Sequence, residues 1–372
     1  HSRKKMRLKK ATMKILILAN CSGGLYRFRG KLISKLLENH EVYASVPNSG
    51  SLDELQQLGC KVVQTNIDRR GINPVTDIRL AAAYYRLIRR LAPDLVVTYT
   101  IKPNVYGGMV CRLLRVPYGA NITGLGTAFQ KKGALRMLVT HMHRMALKKA
   151  KAVFFENSGN LAFMVSEKIV DPRRCCLLSG AGVDLQHFSV KEYPADETPV
   201  RFLFVGRVMK EKGVEELFAA MEQLRKDGLD CTLNVLGGFE EDYEAAIQAG
   251  QTANWLRYHG YVKDVRPFIE NSHCFVLPSW HEGMANTNLE CAAMGRPIIT
   301  SDIPGCKEAV IENISGLLCE PKNTQSLYAA MKAFCALPNA QRAAMGQAGR
   351  AHMEEVFDKK KVVAQTVKGL GL

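Results

Sequence analysis

RFLFVGRVMKEKGVEELFAAMEQLRK, residues 201–226, reads as a strand, a glycine turn and a helix in succession. Residues 201–205 are an apolar run of strand length, and 214–226 repeat apolar residues at helical spacing. Gly206 and Gly213 punctuate the crossing between them. The same unit stands near the start of the chain, where an apolar run at 15–19 leads into CSGGLYRFRG at 21–30 and a helix over 28–38. Between these two points the pattern recurs, with strands expected at 41–46, 61–65, 95–98, 118–122 and 152–155 and helices over 52–57, 78–91, 107–114 and 135–149. It restarts after VKEYPADETPVR, the polar stretch at 190–201. Further strands are expected at 232–236, 256–259, 273–277 and 297–300, with helices over 243–249, 287–294 and 324–337. Repeated strand–helix units imply a parallel sheet covered on both faces. Two rounds imply an α/β chain of two doubly wound parallel-sheet domains, expected at 13–192 and 199–355. A final helix within 356–372 is expected to pack back on the first domain. Ligands of such sheets sit at the carboxyl ends of the strands, so the expected site is the cleft that the two domains face.

A chain of 372 residues exceeds what one core comfortably holds, which agrees with two domains. No apolar run approaches the roughly 20 residues of a spanning helix, which excludes an integral membrane class of that kind. Eleven cysteines without C-x-x-C or metal-ligand spacing read as reduced thiols, hence a cytoplasmic setting. The opening HSRKKMRLKKAT has a basic run without the apolar stretch of a signal peptide. Met13 is a candidate start.

The net charge of +16 is unevenly spread. Residues 1–195 carry 32 Lys/Arg against 12 Asp/Glu, and the remainder 19 against 23. A basic first half points to an anionic partner there: nucleic acid, an anionic membrane face or a phosphate-bearing substrate. No aromatic-interleaved basic strand or recognition-helix motif supports nucleic acid.

Gly23 and Gly24 follow the first strand, where backbone approaches a ligand closely and a helix N-terminus points at it. The stretch lacks G-x-G-x-x-G, which argues against a nicotinamide cofactor. Arg207 and Lys212 follow the strand at 201–205, and Gly206 frees the backbone between them. A planar fork and a point charge at the mouth of a parallel sheet suit a diphosphate. In WHEGMANTNLECAAMGRPIITSDIPGCKEAV, residues 280–310, a helix starting near Thr287 leaves Glu282 in a loop and Glu290 in the first turns. The N–H groups of Gly283, Met284, Ala285 and Asn286 and of the helix start would then face a phosphate, with the carboxylates as acceptors for sugar hydroxyls. The expected ligand is a nucleotide-sugar. No D-x-D is present, and His141 and His143 lack ligand spacing, so no metal is expected. The two cations and the helix dipole would hold the leaving diphosphate instead.

These features, with SGAGVDLQHF (179–188), GYVKDV (260–265) and the acid pair Glu282 and Glu290, resemble the retaining family-4 glycosyltransferases of GT-B fold, over about 13–369. More narrowly, LYRFRGKLISKL, TIKPNVYG, TGLGTAF and PGCKEAV resemble the subgroup extending undecaprenyl-diphosphate-linked sugars, such as the α-1,3-N-acetylgalactosaminyltransferases acting on a diacetylated bacillosamine carrier. The resemblance implies two Rossmann-like domains and a UDP-sugar donor. It implies that Arg207 and Lys212 grip the diphosphate, that Glu290 takes the ribose hydroxyls and that Glu282 takes the transferred sugar. Val262 would meet the base through its main chain, and Gly23 and Gly24 would approach the diphosphate from the other domain. Lys102, Asn104, Thr123 and Gly124 would border a lipid-diphosphate-linked acceptor. Two departures stand out: Ala285 where the family often has proline, and Asn121 and Thr123 where it has a histidine near the acceptor loop. Retention would follow from same-face attack with the leaving phosphate as base.

The acceptor accounts for the charge asymmetry. Segment 130–151 interleaves Lys131, Lys132, Arg136, Arg144, Lys148 and Lys149 with Leu135, Met137, Leu138, Met142 and Met145. It is expected to lie on an anionic membrane face, placing the enzyme peripherally at the inner leaflet. A UDP-sugar 2-epimerase of the same architecture is the second reading.

Overall fold

The computed structural model describes residues 11–68, 71, 73–126, 129, 133–196 and 198–372. The chain divides into two compact units. The first runs to Leu178 and includes Val363–Leu372; the second is Ser179–Val362. The division falls ahead of the polar stretch at 190–201, which belongs to the second unit.

Strands β1 (Lys14–Leu18), β2 (Glu41–Val46), β3 (Lys61–Gln64), β4 (Leu95–Tyr99), β5 (Tyr118–Ile122), β6 (Ala152–Phe155) and β7 (Cys175–Leu177) form the first unit's sheet. Their order is β3-β2-β1-β4-β5-β6-β7, with all pairs parallel. Its helices are α1 (Ser22–Leu37), α2 (Leu52–Gln57), α3 (Pro74–Leu91), α4 (Gly108–Leu114), α5 (Ala134–Leu147) and α6 (Ser158–Ser166). β4 to β6 are buried along their whole length, because helices cover both faces, and they read in sequence as mostly apolar runs, with Thr98 in β4 and Asn121 in β5 the polar members. α3 is defined at both ends. The Asn73 side chain accepts from the Val75 N–H at 2.9 Å, Pro74 opens the first turn, and Ala92 stops the helix in the left-handed region.

The second unit's strands are β8 (Val200–Val205), β9 (Cys231–Leu236), β10 (Leu256–Tyr258), β11 (Cys274–Leu277), β12 (Ile298–Ser301) and β13 (Gly316–Cys319). They are again all parallel, in the order β10-β9-β8-β11-β12-β13. Helices α7 (Val214–Lys226), α8 (Glu244–Thr252), α9 (Arg266–Glu270), α10 (Asn286–Ala293), α11 (Thr324–Ala336) and α12 (Asn339–Val356) surround it. Each unit has its own apolar core. The last helix, α13 (Lys359–Leu370), returns the chain to the first unit. There Leu370 is buried over Gly119, where a Cβ would stand 2.7 Å from the leucine side chain.

Several bounds differ from the sequence expectation. α1 begins at Ser22 rather than near residue 28, because Cys21 caps it and accepts from the Gly24 N–H at 3.3 Å. A π turn, Pro103–Gly107, precedes α4. β7, β13, α6, α9 and α12 were not expected. Among the described residues no helix is long and apolar enough to cross a membrane.

His273, at the foot of β11, is fully buried. Its Nδ1 accepts from the Arg201 N–H at 3.0 Å and its Nε2 donates to the Asp196 carbonyl at 2.7 Å, which fixes a neutral tautomer. Burial lowers its pKa, and burial does the same to His143 in α5. A depressed folded-state pKa makes stability full above the unfolded value of about 6.5 and erodes it as pH falls through the folded one. Stability should therefore fall as pH drops below about 6.5, by up to ~1.4 kcal/mol per pH unit for each histidine, and thermal melts should shift down with it. His273→Gln should flatten that slope; a wild-type profile that is flat or rises toward acid would contradict the assignment.

Candidate functional site

In a doubly wound sheet the ligand crevice opens where neighbouring strands lead off in opposite directions. In the second unit that point lies between β8 and β11. The loop after β8 carries Gly206, Arg207 and Lys212, and the loop after β11 carries Glu282 to Ala285 and leads into α10 at Asn286 and Thr287. Both loops are therefore set at the crevice by strand order alone.

Glycine lets these loops close. At Gly213, with φ +73°, a Cβ would stand 2.1 Å from the Pro278 carbonyl oxygen at the end of β11. The Trp280 N–H donates to the Glu211 carbonyl at 3.0 Å, so the two loops are joined backbone to backbone. Gly206 is gripped similarly, its N–H donating to the Leu236 carbonyl at 2.9 Å. The neighbouring Gly237 comes so close that a Cβ there would stand 1.8 Å from the Gly206 oxygen. The Gly237 N–H donates to the Gly260 carbonyl at 2.7 Å, which ties the half-buried Val262 loop to the same corner.

Closure brings Lys212 onto Glu282 as an ion pair, with 19 % and 13 % of the side chains exposed. The Ser279 hydroxyl donates to the same carboxylate oxygen at 2.8 Å. The sequence reading kept cation and carboxylate apart, on phosphate and sugar; in the structure they are partners. Arg207 is half-exposed and its guanidinium lies 3.3 Å from the Glu240 carboxylate. Glu290 is buried in α10, one turn beyond Asn286 and Thr287.

The loop 283–286 corrects one expectation. The Ala285 N–H donates to the Gly305 carbonyl at 2.7 Å and the Asn286 N–H to the Met284 carbonyl at 3.0 Å. Those two amides serve the loop and not a ligand. The Met284 side chain is buried against Gly180, where a Cβ would stand 2.5 Å from Met284 Cγ. Asn286, with Thr287 beside it, opens α10, and the Asn288 N–H in that first turn donates to the Ala285 carbonyl at 2.9 Å.

Gly305 is the residue that sequence reasoning passed over, though its Pro–Gly turn was a visible signal. It has φ +90°, and a Cβ there would stand 2.7 Å from both the Glu282 and Gly283 carbonyl oxygens. Cys306, directly after it, is fully buried. Burial raises its thiol pKa, and the Glu282 carboxylate adds to that rise, so it is an inert floor. Gly305→Ala combines a left-handed backbone with a clash against two carbonyls, so it should destabilise by about 1–3 kcal/mol. It should also lift Glu282 out of register with Lys212; an unchanged melting temperature would refute this role.

In the first unit the equivalent point lies between β1 and β4. Gly23 and Gly24 are there, though inside the first turn of α1 and not in a turn before it. Ser22 and Ser49 exchange hydrogen bonds of 2.8 and 3.0 Å, drawing the loop after β2 onto that turn. A Cβ at Gly23 would meet the Ser49 carbonyl at 3.2 Å. After β4, Thr100 holds φ +74°, an outlier for a β-branched residue. Lys102 pairs with Asp77 at 2.6 Å, and the Tyr106 hydroxyl donates to the same carboxylate at 2.8 Å. Asn104, expected at the acceptor side, is buried, accepts from Thr98 Oγ1 at 2.6 Å and donates to the Asn121 carbonyl at 2.8 Å. It clamps β4 to β5. Thr123 and Gly124 follow β5 directly and are half-buried. Among the described residues no three His, Cys, Asp or Glu side chains gather as a metal-holding group.

Residues 14–157 match the family described as glycosyl transferase 4-like, and 199–336 match glycosyl transferases group 1. The chain is 26% identical over 333 residues to N,N'-diacetylbacillosaminyl-diphospho-undecaprenol alpha-1,3-N-acetylgalactosaminyltransferase of Campylobacter jejuni, covering 85% of this chain and 87% of that one. It is 25% identical over 278 residues to UDP-Gal:alpha-D-GlcNAc-diphosphoundecaprenol alpha-1,3-galactosyltransferase of Escherichia coli, covering 70% and 71%. Among solved structures it resembles Anabaena HepE in complex with UDP and glucose, with a TM-score of 0.80 at 17% identity over 96% of this chain and 99% of that one. That likeness establishes a shared fold.

Proposed function

The chain belongs to the group 1 glycosyltransferases of GT-B fold, and we propose that it moves a hexose or N-acetylhexosamine from a UDP-sugar to an undecaprenyl-diphosphate-linked saccharide. One observation carries the donor half of this reading. Strand order in the second unit sets Lys212, Glu282 and the start of α10 around a single crevice. A cation, a hydrogen-bonded carboxylate and helical N–H groups are the contacts that a sugar diphosphate uses. Lys212 and Arg207 take the diphosphate, Glu282 the transferred sugar and Glu290 the ribose, with the Val262 main chain at the base and Gly206 beneath.

The leaving phosphate then acts as base toward the acceptor hydroxyl, and configuration is retained. The two cations stabilise the charge that develops on the diphosphate, so a metal and any further cofactor are dispensable. The test is turnover of UDP-N-acetylgalactosamine, UDP-galactose and UDP-glucose on GlcNAc- and diacetylbacillosaminyl-diphospho-undecaprenol, with and without chelator. Transfer that survives the chelator supports the reading. A released epimer or free sugar with no transfer product favours the epimerase instead.

The acceptor is carried on a lipid, and we infer that the first unit rests on an anionic membrane face. α5 exposes Leu135, Met137 and Leu138 at 48, 74 and 57 %, and Leu113 of α4 is 71 % exposed. Lys148 and Lys149 are exposed at the end of α5, whereas Arg136 pairs with Glu167 and Arg144 donates to the Glu167 and Lys168 carbonyls. Lys131 and Lys132, expected in this role, lie outside the described residues. Each surface cation near anionic lipid contributes roughly 1 kcal/mol. Reversing Lys148 and Lys149 to Glu should weaken binding to phosphatidylglycerol vesicles about 10- to 30-fold at low salt. Equal binding by the variant would remove the membrane inference.

A further inference from the structure

A cavity of about 770 Å³ opens in the first unit beyond the carboxyl ends of β2 and β3, walled on its other side by α3. None of the residues expected at the acceptor side lines it. We propose that this cavity is the subsite for the saccharide of the acceptor, taking one or more neutral pyranose rings. The proposal rests on the chain being a transferase to a lipid-linked saccharide and adds where the sugar of that acceptor lies.

The lining chemistry selects the ligand class. Asn48, Gln64 and Asn66 contribute three side-chain amides, and within the described protein none of the three carries a side-chain hydrogen bond. An amide both donates and accepts, which matches a ring of hydroxyls that also do both. Ile67 and Leu80 supply apolar surface for the C–H faces of a sugar ring. Among the described residues no aromatic ring lines the cavity. Among the described lining residues the charged groups are Asp68, Asp77 and Arg79, and Lys102 pairs with Asp77 at 2.6 Å. The volume lies in the range of small-molecule sites, about 300–1,000 Å³, and exceeds the need of a single ring.

Position gives the second argument. The cavity lies on the carboxyl edge of the sheet, the edge at which ligands bind in such folds. The Lys102–Asp77 pair, with Tyr106 donating to the same carboxylate at 2.8 Å, links the cavity wall on α3 to the segment after β4. A sugar in the cavity therefore touches the wall that Lys102 braces. Lys102 acts on the acceptor through Asp77, as a positioning residue.

Steady-state kinetics and ligand NMR on the full chain test this with the double variant Asn48→Ala/Asn66→Ala. Both residues are exposed, so its melting temperature should match wild type. The acceptor KM should rise about 10-fold while kcat at saturating acceptor and the donor KM stay within twofold. An unchanged acceptor KM in an active enzyme overturns the proposal. Saturation-transfer NMR with the soluble disaccharide of N-acetylglucosamine needs no turnover. Saturation by wild type and its loss in the double variant supports the subsite; equal saturation by both, or none by wild type, overturns it. A wild-type chain that transfers nothing to any lipid-diphosphate acceptor fails the transferase reading, while the NMR comparison still decides the cavity.

Discussion

Lys212→Ala lowers kcat/KM for the nucleotide-sugar by about 10²–10³-fold, the loss that follows removal of one preorganised group from a developing anion. Two effects add. The diphosphate loses the ammonium beside it. The Glu282 carboxylate, 13 % exposed and held otherwise by the Ser279 hydroxyl, is left without its cation and turns toward solvent or the donor phosphate. An unpaired carboxylate repels the diphosphate, so the donor KM should rise as well as kcat fall. Lys212→Arg should recover part of the rate, because charge returns but the planar fork does not reproduce a point contact. Glu282→Gln separates the terms. If the pair works as a unit, the double variant Lys212→Ala/Glu282→Gln is less impaired than the two single losses combined, with a coupling of about 1–3 kcal/mol. A Lys212→Ala enzyme within threefold of wild type would end the assignment of this crevice as the donor site.

That crevice was legible in the sequence to an instructive degree. β4, β5, β6 and β11 are buried throughout, and such strands are mostly apolar runs that stand out in the sequence. Strand order then placed the glycine turn after β8 and the acid–glycine loop after β11 side by side, which motif reading had joined only by inference. What escaped had physical causes. β13 reads GLLC and lies at the sheet edge, too short and half-covered to show a period. α12 reads NAQRAAMGQAGRAHMEEV, and its glycines hide its face: Gly346 packs where a Cβ would stand 2.0 Å from the Gly295 carbonyl. Asn104 was expected at the acceptor side from the resemblance, and in the structure its side chain bonds across β4 and β5. A sequence shows that a polar group must be satisfied but not by what. The amides of Ala285 and Asn286 misled for the same reason: loop composition gives no sign that the Gly305 carbonyl takes the first and the Met284 carbonyl the second.

The largest stability effect is expected at a residue that no motif marks. Arg296 is fully buried, and its guanidinium donates to six backbone carbonyls. Nε reaches Ile269 at 3.1 Å. One terminal nitrogen reaches Lys191, Met294 and Gly295 at 3.1–3.2 Å, and the other reaches Glu192 at 2.7 Å and Glu270 at 2.9 Å. The Tyr193 ring packs 5.5 Å from the guanidinium carbon. Burial lowers the arginine pKa, but a guanidinium starts so high that it stays charged at neutral pH. Three chain segments, 191–192, 269–270 and 294–295, are thus held by one side chain. Arg296→Met keeps the volume and leaves the carbonyls unsatisfied in a dry interior, a loss of about 3–5 kcal/mol. For a unit of this size that amounts to a fall on the order of 10 °C in Tm. Arg296→Lys should recover little, since an ammonium has three donors and no planar fork. Hydrogen exchange should rise first along 191–196, whose attachment depends most on those bonds. Arg296 makes none of its hydrogen bonds to the loops carrying Lys212 and Glu282, so kcat/KM per folded molecule, measured well below Tm, should hold. A Tm within 2 °C of wild type would mean that water or rearrangement satisfies those carbonyls and that the guanidinium is not what holds the segment down.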